Sequence, residues 1–523
     1  MNKFEDAFIS TLNNEVSVTE NGACGYKTSG KSLLDLNFSL SSLRSKSDED
    51  VVKAFSAAFF ENRMLSLKWL FMARDIRGGC GERRVFRTCF KWLAEFHQDI
   101  ARALVPVVSN FGRWDDLWCL LDTKISKNIT DLVFEQLSQD LEAKKNGKSI
   151  SLLAKWLPSV NSSSAGTKSL AKKIRIALGM DEKTYRKTLS SLRSYSNVVE
   201  VAASANRWSE IDYNKVPSKA NLKYKNAFLR NDEDRRRKWL SDLQNGKAKI
   251  NSSASFPSDI VHAYASSGIN AFSYRRNASV EDNVVLEEMW KALPDYTSGS
   301  KSGSTIVVAD SSGSMTIGTG NSSSMTALEV CYSLAIYFAE KLNGPFKDKV
   351  ITFSERPKYL DLSKCKSLGE KLNYMYSQSE VANTNVERVF DLILKTAIAN
   401  SLSQDDIPSN VLICSDMEFD AAQGMYYCGS KYSADQDALF KRIEKKWMNA
   451  GYKLPRLVFW NIASRTGTIP LQSSSNGVAL LSGYSPAIAN MVFSTKLDPY
   501  EVLVDALNAK RYDIVEKLVK DLI

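Results

Sequence analysis

Five oxygen-bearing residues stand where a cation could be held. In "DSSGS" (310–314), Asp310, Ser312 and Ser314 lie at i, i+2 and i+4, directly after the apolar run "TIVVA". Asp416 follows a second apolar run, "NVLICS", and Thr384 in "SEVANTNVERVF" precedes an amphipathic stretch. Two Asp, two Ser and a Thr form an all-oxygen set suited to a hard octahedral cation such as Mg²⁺, with water completing the shell. Taken alone, DSSGS is also a polar turn. What favours ligation is that the carboxylates fall where strands stop.

A second pattern competes for attention. "GYKTSGKS" (25–32) satisfies G-x-x-x-x-G-K-[ST] with Gly25, Gly30, Lys31 and Ser32. A working phosphate loop follows a buried apolar strand and opens a helix, so that its backbone N–H groups can cradle phosphates. The preceding "NNEVSVTENGAC" is polar, and the following couple of hundred residues read as helical rather than as a βαβ unit. A nucleotide hydrolase built on residues 25–32 is therefore a remote alternative, and the segment reads as a Gly/Ser turn before the helical run "SLLDLNFSLSSLR".

Other chemistries find little support. Only His97 and His262 are present, which leaves few ways to build a His-based nucleophilic triad. The eight cysteines (Cys24, Cys80, Cys89, Cys119, Cys331, Cys365, Cys414 and Cys428) form no C-x-x-C pair and read as buried free thiols in a reducing compartment. An Mg²⁺-dependent phosphodiesterase at Asp310 and Asp416 lacks an obvious base or cationic clamp. The expectation is a protein that is not an enzyme.

The elements that position these residues divide the chain. Residues 1–295 read as helix after helix, with short turns between runs such as "SDEDVVKAFSAAFFENRMLSLKWLFMARDIRGG", where Ser47 and Asp50 have capping-box spacing. The pattern suggests stacked helix pairs, a HEAT-like helical repeat domain. Residues 296–304 are a Ser/Gly linker, and 305–523 alternate continuous apolar strands with helices and end in further helices. That alternation predicts a doubly wound, Rossmann-like α/β sheet, in which ligands sit beyond the carboxyl ends of the strands. The expected fold class is thus α followed by α/β.

Composition sets the environment. Of 69 basic and 59 acidic residues, 24 of each fall in 301–523, so the whole excess of +10 lies in the first 300. A basic first half suggests a polyanion surface, although solvated Lys-rich helix faces explain the charge alone equally well. No window carries 18 uninterrupted apolar residues, and the first residues fit neither a signal nor a transit peptide. The cytoplasm is the expected compartment, with no membrane association.

The set Asp310, Ser312, Ser314, Thr384 and Asp416 resembles the D-x-S-x-S…T…D metal-ion-dependent adhesion site of von Willebrand factor A domains, in order and in strand context. The insert "TIGTGNSSS" and the absence of a Gly before Thr384 depart from that pattern. A basic helical half ahead of such a domain resembles Ro proteins, whose helical TROVE module binds RNA. "ARDIRGGCGERRVF", "FGRWDDLW", "LAKWLPS", "EIDYNKVPS" and "LVFWNIASR" are similar to an uncharacterised Ro-like family of plants, bacteria, phages and large DNA viruses. The resemblance implies an RNA-binding, non-enzymatic ribonucleoprotein component with Mg²⁺ in its A domain. A partner protein could complete the metal shell with an acidic side chain, and a metal-dependent interaction module without RNA is the alternative.

For RNA, the basic clusters Arg74, Arg77, Arg83, Arg84, Arg87 and Lys168, Lys172, Lys173, Arg175 gather near expected helix ends, and guanidinium forks suit phosphate. The Gly-rich turn "RGGCGER" could admit a phosphate or simply join two helices. Trp114, Trp156, Trp208 and Tyr213 could stack bases, but core aromatics are the more economical reading. Arg113 and Lys155 suit structural ion pairs equally well.

Overall fold

The computed structural model describes residues 16–265, 283–298, 304–320, 324–353, 356–379, 385–420, 439–470, 477–494 and 496–523. These form two compact units, each assembled from separate stretches of chain: Met1–Trp69 with Ser255–Ala509, and Leu70–Ala254 with Lys510–Ile523. The first contains the sheet and the second is helical. The break in sequence grammar at 296–304 precedes the first strand of the main sheet, whereas the compact unit around that sheet also takes in residues 1–69 and 255–295.

In the sheet unit, Val16–Val18 (β1) and Cys24–Tyr26 (β2) pair as a small antiparallel ribbon. The apolar runs then form the main sheet: Thr305–Asp310 (β3), Lys349–Phe353 (β4), Lys358–Asp361 (β5), Asn410–Ser415 (β6), Arg456–Asn461 (β7) and Val478–Ser482 (β8). Their spatial order is β5-β4-β3-β6-β7-β8, all parallel except β5, which returns antiparallel beside β4. Strand β5 has no counterpart in the sequence reading, because "KYLD" is short and only half-buried. β3 and β8 are buried along their whole length, as continuous apolar strands of a covered parallel sheet must be. Strand order reverses at β3, where β4 lies on one side and β6 on the other, so a crevice opens at the carboxyl ends of β3 and β6.

Residues 37–42 are fastened to the far strands of this sheet. Asn461 Nδ2 donates to Phe38 O at 2.8 Å, Ser41 N donates to Ser482 Oγ at 2.9 Å, and Ser41 Oγ donates to Asn461 O at 3.0 Å. Asn37 reaches Leu480 O and in turn accepts from Trp69 Nε1 at 3.2 Å. The ribbon is held as well, through reciprocal backbone bonds between Tyr26 and Ile469 of 2.8 and 2.9 Å.

The expected first long helical run is in fact two helices, Asp48–Glu61 and Arg63–Arg74. The Ser47/Asp50 capping box opens the first of them. Asn62 breaks the run in extended conformation and its side chain caps the next helix through Leu65 N, at 2.9 Å. Asn competes with the helical backbone in this way, so periodicity alone runs straight through it.

The helical unit packs around aromatic clusters. Phe71 meets Phe86, Phe90 and Phe111 with ring centroids 5.1–6.3 Å apart, and Tyr512 stacks on Phe111 at 5.8 Å. A second cluster holds Tyr213, Phe228 and Trp239 around the fully buried Arg236. Burial draws that guanidinium down to about 10.

Within this unit Asp116 is fully enclosed and accepts from two arginines, Arg74 Nε at 2.7 Å and Arg87 Nε at 2.8 Å. Removing one member of such a group leaves a buried charge unmatched. Asp116→Ala is expected to destabilise the unit by about 3–5 kcal/mol. Asp99→Ala, which removes a solvent-exposed pairing with Arg102, is expected to stay within about 0.5 kcal/mol. Denaturant melts of both variants check the contrast.

Candidate metal centre

Asp310 is the last residue of β3 and Asp416 follows the last residue of β6, so the reversal of strand order brings both to one crevice. Asp310 is fully enclosed and Asp416 is 1% exposed. Ser312 N donates to Asp310 Oδ1 at 2.9 Å, and the hydroxyls of Ser312 and Ser314 lie 3.0 Å apart. Four of the five expected ligands therefore converge. Thr384 lies outside the described residues.

Burial, and then the neighbouring Asp416 charge, push the Asp310 carboxyl up to about 7. Asp416 is raised by burial too, against the pull of Ser314, the Glu418 amide and Arg465. Its Oδ1 accepts from Glu418 N at 3.2 Å, whereas Oδ2 has no hydrogen-bond donor. Two buried carboxylates, one with a bare oxygen and hydroxyls beside them, fit a hard divalent cation. Among the described residues no three His, Cys, Asp or Glu side chains converge as a metal cluster, so the donors here are necessarily hydroxyl-rich.

Several residues that shape this site are absent from the sequence reading. Ser415 donates from Oγ to Asp310 Oδ2 at 2.6 Å and accepts from Met417 N at 2.9 Å. Met417 adopts φ +65°, a left-handed conformation that costs a side-chain-bearing residue energy and turns the backbone just after Asp416. Glu418, fully enclosed, accepts from Glu20 N at 2.8 Å, Arg465 N at 2.7 Å and Thr466 N at 2.9 Å.

The expectation that no cation stands near the carboxylates is corrected. Arg465 Nη2 lies 3.6 Å from Asp416 Oδ2 and also pairs with Glu20. The same rule that found Asp416, looking just past strand ends, finds Arg465 four residues beyond β7. A cleft of 310 Å³ opens here, with Ser314, Asp416 and Arg465 joined by Ser41, Ser42 and Tyr484.

The expectation about histidines is corrected as well. Ser324 Oγ lies 3.1 Å from His262 Nε2, and His262 Nδ1 lies 3.0 Å from Glu329 Oε2. The spacing is that of a nucleophile, a base and its orienting carboxylate. Glu329 also accepts from Thr326 N at 2.7 Å, completing the capping box of helix Ala327–Lys341. This chain of contacts thus closes the start of a core helix.

The phosphate-loop match begins inside a strand and runs into helix Ser32–Phe38, the start of the expected helical run. The strand, however, is the three-residue β2 of the ribbon and not a central parallel one. A Cβ on Gly25 would meet Thr468 Cγ2 at 2.5 Å, so its glycine serves close packing. Asp35 accepts from Ser29 N at 2.7 Å and Glu61 accepts from Ser32 N at 2.6 Å, so carboxylates of the chain itself take N–H groups a phosphate would need. Lys31 sits 5.4 Å from the Tyr500 ring.

The basic residues proposed for RNA separate in the structure. Arg74, 3% exposed, is corrected to a structural residue because Asp116 engages its guanidinium. Arg87 is likewise tied to Asp115 and Asp116. Burial lowers the Arg83 pKa, yet Arg83 and Arg77 are exposed residues and Arg84 is partly exposed. Lys168 and Lys172 are exposed, Lys173 pairs with Asp122, and Arg175 Nη1 donates to Met180 O at 2.7 Å.

The turn "RGGCGER" is a helix stop. The amides of Cys80, Gly81 and Glu82 donate to Met72 O, Asp75 O and Ala73 O, at 2.7–3.0 Å, which leaves them unavailable to phosphate. Trp114 and Tyr213 are core residues, whereas Trp156 and Trp208 are partly exposed. Arg113 pairs with Asp115 and stacks over Trp156 at 4.0 Å.

Fold and site together define a class: a protein with one helical unit and one mixed parallel α/β unit whose carboxylates and hydroxyls converge at the switch point. The family model described as a domain of unknown function, DUF2828, matches residues 19–127 and 123–298, over half of the chain, and the chain belongs to that family. A second domain of unknown function, DUF7788, matches residues 304–513. "Uncharacterized protein L728" of Acanthamoeba polyphaga mimivirus is 29% identical over 548 aligned positions, covering 95% of this chain and 90% of its own. Among solved structures, the crystal structure of the Deinococcus radiodurans RO (RSR) protein aligns with 91% of this chain and 90% of its own, at 12% identity and a TM-score of 0.32. At that TM-score the likeness lends no weight to fold or function. No described helix is long and apolar enough to cross a membrane.

Titration with Mg²⁺-ATP is expected to show no saturable binding up to the millimolar range, for the wild type and for Lys31→Ala alike. Tight binding lost on Lys31→Ala would restore the nucleotide reading.

Proposed function

We propose that this is a non-enzymatic, Ro-like RNA-binding protein in which the helical unit takes RNA and the α/β unit holds a hard divalent cation. The observation that carries the metal reading is the buried Asp310–Asp416 pair, in which Asp416 Oδ2 accepts no hydrogen bond and faces the Arg465 guanidinium only at 3.6 Å. Asp310, Ser312, Ser314 and Asp416 would hold Mg²⁺, with Thr384 as the fifth ligand. Bound there, the cation neutralises both carboxylates and offers a position to an acidic side chain of a partner protein. The chain's own residues prepare the place: Ser415 orients Asp310, Glu418 fixes the turn after Asp416, and Arg465 stands at the rim.

The RNA reading draws support from the placement of the whole positive excess in the first 300 residues and from exposed Lys168 and Lys172. Free cysteines, six of them among the described residues, suit a reducing cytoplasm. A metal-dependent partner-capture module without RNA is the second reading, favoured by the same buried carboxylate pair.

Mg²⁺ at about a hundredfold excess over its Kd is expected to stabilise the wild type by roughly 2.7 kcal/mol. Asp416→Asn should abolish that gain, yet melt in EDTA no lower than the wild type, since a buried charge has been removed. Identical wild-type melting in Mg²⁺ and EDTA would remove the metal reading.

For RNA, anisotropy with a single-stranded oligonucleotide should report salt-dependent binding that weakens when Lys168, Lys172 and Lys173 are changed to Gln. A wild-type chain without such binding leaves only partner capture.

A further inference from the structure

The helical unit carries a cleft of 560 Å³ against helix Glu182–Tyr195, whose lining includes Lys183, Arg186, Lys187, Arg193, Asn161 and Ser190. No carboxylate lines it, and among the described residues none of the four cations is ion-paired. Elsewhere in this unit basic side chains are repeatedly matched, as Arg74, Arg87, Arg113 and Lys173 are. The acidic residues that open the helix do not lie in the cleft. Asp181 is the helix cap, its carboxylate accepting from Thr184 N at 2.9 Å and Thr184 Oγ1 at 2.6 Å.

Two further features set this group apart from a solvated lysine face. Arg193 is half-buried and donates to Ala154 O at 2.8 Å, Leu157 O at 2.6 Å and Ser159 Oγ at 2.8 Å, so it holds the cleft wall while keeping its charge uncompensated. Burial lowers its affinity for the proton, the mark of a cation that has lost water and gained no anion. Lys183, Arg186 and Lys187 crowd the first two turns, where the helix dipole already disfavours positive charge. An anion at the mouth would relieve both.

The geometry points to this cleft as a phosphate-backbone site for single-stranded RNA, with Lys183, Arg186 and Lys187 on successive phosphates over a wall braced by Arg193. This rests on the RNA reading above and names a surface separate from the Lys168–Arg175 cluster. Among the described residues the one aromatic lining it, Tyr185, is buried with its hydroxyl donating to Pro158 O at 2.9 Å. Bases therefore have no exposed ring to stack on, and recognition runs through phosphate and ribose without regard to sequence. The hydroxyls and amide of the lining offer partners to ribose.

The test uses the full chain and anisotropy of labelled oligo-U and oligo-A across a salt series. Lys183, Arg186 and Lys187 are exposed, so the triple change to Gln should fold as the wild type does, checked by its melt. Removing three phosphate contacts should weaken binding about tenfold or more at low salt and flatten the log K against log salt slope by about 2, equally for both sequences. A wild type that binds RNA while the triple variant binds with unchanged affinity and slope overturns this assignment alone. A wild type that binds neither oligonucleotide overturns the RNA reading and the cleft with it.

Discussion

A single buried carboxylate ties the α/β unit together. Glu418 accepts from the backbone of Glu20, Arg465 and Thr466 and from the hydroxyls of Ser464 and Thr466. It thereby joins three segments that are far apart in sequence. A carboxylate removed from water must find donors, and this one finds them in the loop after β7 and in the N-terminal segment. With that loop fixed, Arg465 is delivered to the rim of the crevice. With the turn after Asp416 fixed, the left-handed Met417 becomes tolerable and the Asp416 carboxylate is held in place. The turn after Asp416, the placement of Arg465 and the anchoring of Glu20 meet at this node.

The sequence made the core of the site legible because strand ends can be read without knowing tertiary contacts. Continuous apolar runs identify the parallel strands, and the first polar residues after them are the site: Asp310, Ser312, Ser314 and Asp416. What stayed hidden depended on distant pairing. Ser41 bonding to Ser482, or Glu20 to Glu418, leaves no local trace, so residues 16–69 read as part of a helical half. Arg74 and Arg87 looked like phosphate ligands because a count of charges cannot show that Asp116 lies between them. Gly25 completes a phosphate-loop pattern because packing against Thr468 and a phosphate cradle both require glycine. Arg465 was the avoidable omission, since it obeys the rule that located Asp416.

The two units use charge in opposite ways. In the α/β unit the burden is negative: Asp310, Asp416 and Glu418 lie enclosed with one nearby guanidinium that is itself shared with Glu20. In the helical unit the burden is positive, with Arg236 enclosed among aromatic rings and Arg193 half-buried without a carboxylate. Neither pattern is what a protein optimised for stability alone would keep, because buried charge without an opposite partner costs free energy. On the proposed function, the Asp310–Asp416 pair is prepared for a cation and the cleft around Arg193 for an anion.

The discontinuity of both units has a consequence for how the chain is made. Residues 16–69 leave the ribosome long before β7 and β8, the strands their polar groups bond to. At about 5–20 residues per second, the gap between them is of the order of 20–90 s. During that interval Asn37, Ser41 and Ser42, all buried in the finished unit, lack the partners that Leu480, Asn461 and Ser482 supply. The helical segment between has most of its own core at hand, yet Arg511 and Tyr512, which close over Asp75 and Phe111, are made only after the sheet strands. Synthesis thus proceeds with an early segment waiting for the strands to which its buried polar groups bond.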